Sequence, residues 1–113
     1  MDKVSINKTI HLSQHYTLGE MTKTGTGIPN IPSRVSIENL RNICENWLEE
    51  MRYDYNTLYC LKPGEDYETS KSVEPVIITS GFRSEDVNRA VGGSPTSNHL
   101  SGCAVDIRCV GFE

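Results

Sequence analysis

A histidine and an aspartate that could share a metal ion lie near the end of this sequence, within residues 97–107. His99 and Asp106 are seven residues apart, and Asp106 lies between Val105 and Ile107 in an apolar stretch. A buried carboxylate without a partner is costly, so a positive group must meet Asp106. The candidates are a metal ion and an arginine, and the choice between them decides what the protein does.

Both candidates are chemically reasonable on the residues alone. A histidine nitrogen and a carboxylate oxygen suit zinc, and a catalytic zinc has three protein ligands and one open position. Two residues at this spacing are not a metal motif by themselves. An ion pair of Asp106 with Arg83 or Arg108 would also satisfy the carboxylate, and His99 would then be an ordinary loop histidine.

Cysteines offer a further alternative for the ligand set. The chain has four, and none forms a CxxC pair. Without a secretion signal they are expected to be free thiols, with Cys44 a small core residue. Cys103 and Cys109 flank Asp106, so a thiolate ligand stays open, although buried cysteine is common without a metal.

Two strands are expected to position these residues. Residues 75–80 are rich in β-branched side chains and predict a buried strand, after which Arg83 follows in a turn. Residues 103–108 predict a second strand that contains Asp106 and is preceded by His99. If the strands are sheet neighbours, Arg83, His99 and Asp106 can converge at one cleft.

Helices are predicted on either side of the first strand. Apolar residues at spacings of mostly three and four predict a long helix from about Ser33 to Tyr53, with Trp47 on its apolar stripe as a core anchor. Ser84 is expected to cap a short helix over residues 85–91. Thr17, with Glu20 three residues later, predicts one short helical turn with a capping box.

Length and composition fit one small α+β domain over residues 1–113. The chain is 36% apolar and 23% charged, as in ordinary globular proteins. We expect a small antiparallel sheet with flanking helices, an irregular N-terminal segment (residues 1–32) and a mobile connector (residues 54–74). These boundaries follow from turn-rich composition between the periodic segments.

The charge balance disfavours some partners, although a local basic site could still exist in an acidic protein. The formal net charge is −4, from 11 basic and 15 acidic residues, and no basic block stands out. Nucleic acid and an anionic membrane surface are therefore not expected as partners. Residues 1–8 lack the apolar core of a signal peptide, which predicts a chain that is cytoplasmic at synthesis.

Several segments in order resemble one peptidase family. The run S-x-H-x-x-G-x-A-x-D-I over residues 97–107 resembles the signature of zinc D-alanyl-D-alanine carboxypeptidases, including peptidoglycan-associated and phage-associated members. Residues 78–84 (ITSGFRS) resemble that family's ITSGYRS segment, and residues 87–97 resemble its lead-in LN-x-x-VGGSPTS. Residues 15–21 (HYTLGEM) resemble its HFTLEEL opening. The resemblance covers roughly residues 10–108 and implies a D-Ala-D-Ala carboxypeptidase-like fold.

Carried over by position, the resemblance assigns roles to five residues. It implies that His99 and Asp106 are ligands of Zn²⁺, and that Arg83 is a catalytic residue facing the scissile carbonyl or its oxyanion. A fixed cation suits that role because it stabilises charge that appears in the transition state. Ser97 and Asn88 would bind substrate or brace the cleft, with loop and helix-cap hydrogen bonding as the alternative.

The resemblance breaks at the third ligand. The family has a histidine near its C-terminus in a segment like W-x-H, preceded by an acidic catalytic residue, whereas no histidine follows Asp106 here. Three explanations stay open. The chain is C-terminally truncated relative to the family, or His11, His15 or Cys109 substitutes as ligand, or catalysis has been lost.

The function implied is zinc-dependent hydrolysis of peptidoglycan stem peptides, at D-Ala-D-Ala or a related bond. The enzyme would reach the cell wall after lysis or within a phage particle. The alternative is a non-catalytic peptidoglycan-binding or phage structural module with the same fold, since fold does not guarantee function.

Overall fold

A long helix through the middle of the chain supports the rest of the protein. The computed structural model describes residues 7–112, and residues 1–6 of the N-terminal segment and Glu113 lie outside the described part. The helix consists of α2 (Arg34–Ile43), a π-helical turn (Cys44–Leu48), α3 (Glu49–Tyr55) and a second π-helical turn (Asn56–Cys60). It begins as predicted, because the Ser33 hydroxyl accepts from the backbone N–H of Ser36 at 3.1 Å.

The predicted end of this helix at Tyr53 is wrong, because the helix continues to Cys60. Residues 54–60 therefore belong to the helix and not to a connector. Asn56 explains the extension: its buried side chain donates to the carbonyl of Glu74 at 2.9 Å and accepts from the Glu74 N–H at 2.7 Å. These bonds hold the end of the connector against the last helical turn.

The predicted core role of Trp47 is also wrong. Leu40, Cys44 and Leu48 are buried as expected, but Trp47 is 66% exposed. The π-helical turn is the cause, because its wider backbone keeps Cys44 and Leu48 aligned and turns the position between them outward. Trp47, Met51 and neighbouring side chains instead line an open surface groove.

Two short strands form the sheet that carries the candidate site. β1 (Ile77–Ser80) pairs antiparallel with β2 (Asp106–Arg108), so that Ile78 lies opposite Ile107 and Ser80 opposite Asp106, with an irregularity between them. Both strands are shorter than predicted. α4 (Glu85–Ala90) follows β1, with Ser84 as its N-cap. The protein is α+β, with helices around a two-stranded antiparallel sheet.

The N-terminal segment closes over the long helix and β1. It contains α1 (Leu18–Thr22), which has the predicted capping box between Thr17 and Glu20. One apolar cluster joins this segment, the long helix and the region of β1: Leu12, Tyr16, Leu18, Met21, Leu40, Cys44, Leu48, Ile78 and Phe82. None of the helices within residues 7–112 combines the length and apolar character needed to cross a bilayer.

Glu49 fastens the N-terminal segment to the long helix. Its carboxylate accepts from the Ser13 hydroxyl at 2.6 Å and from the His15 N–H at 2.7 Å, and it lies 2.6 Å from His15 Nδ1. Partial burial raises the pKa of this carboxyl, but the hydrogen bonds from Ser13 and His15 together outweigh burial and hold the pKa below its usual value. His15 is thus engaged by Glu49 of the long helix.

Candidate metal centre

His99 is held rigidly at the mouth of the sheet. It lies in a 3₁₀ turn (Asn98–Ser101) that begins where the Ser97 hydroxyl accepts from the His99 N–H at 3.2 Å. The turn ends at Gly102, whose positive φ of 76° suits glycine. The His99 side chain is buried, and its Nδ1 lies 2.7 Å from the carbonyl oxygen of Gly81.

This contact fixes the tautomer of the ring. A carbonyl oxygen can only accept, so Nδ1 of His99 carries the hydrogen and donates it to Gly81. In the neutral ring, Nε2 is then left with its lone pair available. Histidines that ligate metals are commonly held in this way, through the other ring nitrogen.

Asp106 faces that lone pair from the start of β2. Its Oδ2 lies 3.4 Å from His99 Nε2 and 3.7 Å from Arg83 Nη2. The expectation of a buried carboxylate is wrong, because the Asp106 side chain is 57% exposed. The short strand β2 lies at the protein surface, so the apolar neighbours of Asp106 in sequence do not enclose it. The expected meeting with a positive group does occur, and the group present is Arg83.

Arg83 is fixed by contacts along its whole length. Its Nε donates to the Ser80 hydroxyl at 3.2 Å, and its Nη1 donates to Asn88 Oδ1 at 3.2 Å. Its backbone N–H donates to the carbonyl of His99 at 2.9 Å. The side chain is mostly buried, so the guanidinium is a cation of defined position beside Asp106.

Asn88 and Ser97 both have structural partners in this site. Asn88 is buried in α4, where it accepts from Arg83 and donates to the carbonyl of Ser94 at 2.8 Å. A Cβ at Gly93 would lie 2.0 Å from Asn88 Oδ1, so the loop packs directly on this amide. Asn88 therefore braces Arg83, and Ser97 caps the turn of His99.

The pair His99 and Asp106 fits two ligand positions of a zinc site. Ligand atoms about 2.0–2.1 Å from a tetrahedral zinc lie about 3.4 Å apart, and the observed separation of Nε2 and Oδ2 is 3.4 Å. Within residues 7–112, however, no group of three or more His, Cys, Asp or Glu side chains could hold a metal. His11, His15, Cys103 and Cys109 thus do not complete the set.

Comparison with protein-family models gives a match to part of the chain. Residues 65–113 match the Peptidase M15 family model. The match covers under half of the chain, and it includes β1, α4, β2 and the three residues Arg83, His99 and Asp106. It supports a relationship to the zinc peptidases of the Peptidase M15 family. Neither the curated proteins nor the solved structures gave a match.

Asn30, which the sequence does not single out, connects this site to the N-terminal segment. Asn30 is buried, and its amide donates to the carbonyls of Thr22 at 2.8 Å and Phe82 at 2.9 Å. Its Oδ1 accepts from the Ser84 N–H at 2.7 Å. The only signal in the sequence is an asparagine between two prolines, which is typical of any turn.

Proposed function

We propose that this protein is a zinc-dependent peptidase that acts on peptidoglycan stem peptides, as a D-Ala-D-Ala carboxypeptidase or a related endopeptidase with that fold. The observation that carries the proposal is the pairing of His99 Nε2 with Asp106 Oδ2 at 3.4 Å. When the ring of His99 is neutral, its hydrogen lies on Nδ1 toward Gly81, so Nε2 presents a lone pair toward Asp106. In that form the two atoms could both ligate one cation. The Peptidase M15 match over the same residues supports zinc as that cation.

Each residue then has a defined task. A bound zinc supplies Lewis acidity toward a peptide carbonyl and a more acidic water. His99 and Asp106 would hold it, with the ring of His99 oriented by the carbonyl of Gly81. Arg83 presents a fixed guanidinium next to the carboxylate, where it can stabilise negative charge on the carbonyl oxygen during attack. Asn88 and Ser80 keep that guanidinium in place.

Zinc binding by the full chain tests the metal site. We expect His99→Ala and Asp106→Asn each to weaken zinc binding by about a hundredfold, measured by competition with a chromophoric chelator. His11→Ala and Asp54→Asn are matched controls, because both side chains are exposed and far from the pair in sequence. Equal zinc affinity in all five proteins would remove His99 and Asp106 as ligands.

A second candidate is a non-catalytic module that binds peptidoglycan. It is favoured by the lack of a third ligand among residues 7–112 and by the ion pair of Asp106 with Arg83, which satisfies the carboxylate without a metal. The two candidates are separated by incubating the protein with purified peptidoglycan and zinc. Release of D-alanine or of a new amino terminus supports the peptidase, and co-sedimentation without release supports the binding module.

A further inference from the structure

A cleft of mixed polarity opens beside Arg83, on the side of the N-terminal loop, with Phe82, Val87 and Val91 as its apolar lining. It has a volume of about 340 Å³ and lies between residues 23–26, the end of β1 and α4. Its charged lining residues are Lys23 and Arg83, and hydroxyl groups come from Thr24, Thr26, Thr79 and Ser80. Among residues 7–112, no Asp or Glu lines it, although the chain carries 15 acidic and only 11 basic residues. The cleft is therefore positive within a negatively charged protein.

Lys23 is the cation of this cleft that can pair with an anionic ligand. Arg83 already faces Asp106 at 3.7 Å, so part of its charge is compensated. No salt bridge among residues 7–112 engages Lys23, which is exposed at the C-terminal end of α1. Two cations and several hydroxyl donors around one small volume form a site that attracts an anion.

The loop that carries Lys23 is fixed in its position by hydrogen bonds. The Thr24 hydroxyl accepts from the Thr26 N–H at 3.2 Å, and the Thr26 hydroxyl accepts from the Ile28 N–H at 3.2 Å. Asn30 then bonds to both ends of the cleft, at the carbonyls of Thr22 and Phe82. A preorganised loop loses little conformational entropy when a ligand binds.

We propose that this cleft binds a carboxylate of the peptide substrate, with Lys23 as its cationic partner and Arg83 between the carboxylate and the pair of His99 and Asp106. The inference rests on the proposed peptidase function and extends it to substrate choice. The carboxylate is either the free C-terminus of the peptide or an acidic side chain within it. A free C-terminus at Lys23 places the last peptide bond toward Arg83, as a carboxypeptidase requires.

Binding of small peptides to the full chain tests the assignment without requiring hydrolysis. N-acetyl-D-alanyl-D-alanine, its C-terminal amide, and the amide of a dipeptide with a glutamate side chain are titrated while backbone amide NMR signals are followed. We expect the free acid to bind at least about tenfold more tightly than the amide. Lys23→Met should abolish most of this preference, whereas the exposed lysine variant Lys71→Met should keep it.

The outcomes separate the inference from the function on which it rests. Preference for the glutamate-containing amide, lost in Lys23→Met, assigns the cleft to a side-chain carboxylate. Equal binding of acid and amides overturns the cleft assignment but leaves the peptidase proposal standing. An acid preference that survives Lys23→Met also overturns it. If no peptide binds while zinc binding depends on His99, the carboxylate site is wrong and the metal site is retained.

Discussion

The ring of His99 donates from Nδ1 to the carbonyl of Gly81 at 2.7 Å, so a backbone group of the β1 turn sets the direction of the candidate ligand. Gly81 itself has no room for a side chain, because a Cβ there would lie 2.3 Å from the carbonyl oxygen of Met21. The turn beside His99 and Asp106 thus packs directly against α1. This close approach makes the glycine a requirement of both fold and site.

Gly81→Ala is expected to lower the free energy of unfolding by about 2 kcal/mol or more, since the backbone must move to relieve the overlap. The same movement shifts the acceptor of His99, so zinc affinity should fall as well. Urea unfolding and zinc competition measure the two effects. Gly25→Ala is the control, because its Cβ would meet nothing within 4 Å. A Gly81→Ala protein as stable as Gly25→Ala would show that the turn has room after all.

Asn30→Ala should destabilise the protein by about 2–4 kcal/mol, because it leaves two carbonyls and one N–H without their buried partner. Chemical unfolding provides the measurement. Asn42→Ala, at an exposed position of α2, is expected to change stability by less than about 0.5 kcal/mol. Similar losses in both variants would contradict the role given to Asn30.

The raised pKa of the buried Cys44 thiol predicts that the folded protein loses stability in alkaline solution. Burial raises the pKa of its thiol from about 9 to about 12. The unfolded chain ionises first, so this contribution is complete below pH 9 and is lost as the pH rises toward 12. The stability difference between the wild type and Cys44→Ala, measured by urea unfolding, should therefore shrink between pH 9 and 10.5, by at most about 1.4 kcal/mol per pH unit. A difference that is constant over this range would argue against a buried, neutral thiol.

The lowered pKa of the Glu49 carboxyl predicts that the folded protein loses stability in acid. Its pKa in the folded protein is below the usual value of 4.5, so its contribution is present above that pH and is lost as the pH falls through the folded pKa. Glu49→Gln should cost about 1–3 kcal/mol at pH 7 and much less at pH 3. Glu50→Gln, at the exposed neighbouring position, should be close to neutral at both pH values. Urea unfolding of the wild type and of both variants at pH 7 and pH 3 measures these differences in stability.

Local signals in the sequence were sufficient for the caps and for the convergence at the site. Thr17, Ser33 and Ser84 cap the helices as predicted, because each hydroxyl needs only the N–H three residues later. The two strands pair, which brings Arg83, His99 and Asp106 together. These inferences depend on short-range chemistry and on one assumption of strand adjacency.

Features set by backbone irregularity or by distant contacts could not be predicted. A periodicity of 3.6 residues cannot reveal a π-helical turn, so it places Trp47 on the wrong face of the helix. Alternation along a strand cannot reveal that β2 lies at the surface, so the sequence alone predicts a buried Asp106. The role of Asn30 depends on partners up to 54 residues away, and no local pattern carries that information.

The composition of the apolar core indicates that the candidate site does not unfold separately from the rest of the protein. Of the nine residues in the apolar cluster, only Ile78 and Phe82 fall within the stretch that matches Peptidase M15. The N-terminal segment and the long helix provide the other seven. His99 and Asp106 therefore belong to one cooperative folding unit with α1 and the long helix. The backbone N–H of Arg83 donates to the carbonyl of His99, and that of Phe82 donates to the carbonyl of Met21. We expect both amides to exchange with deuterium as slowly as the amides in the core of the long helix.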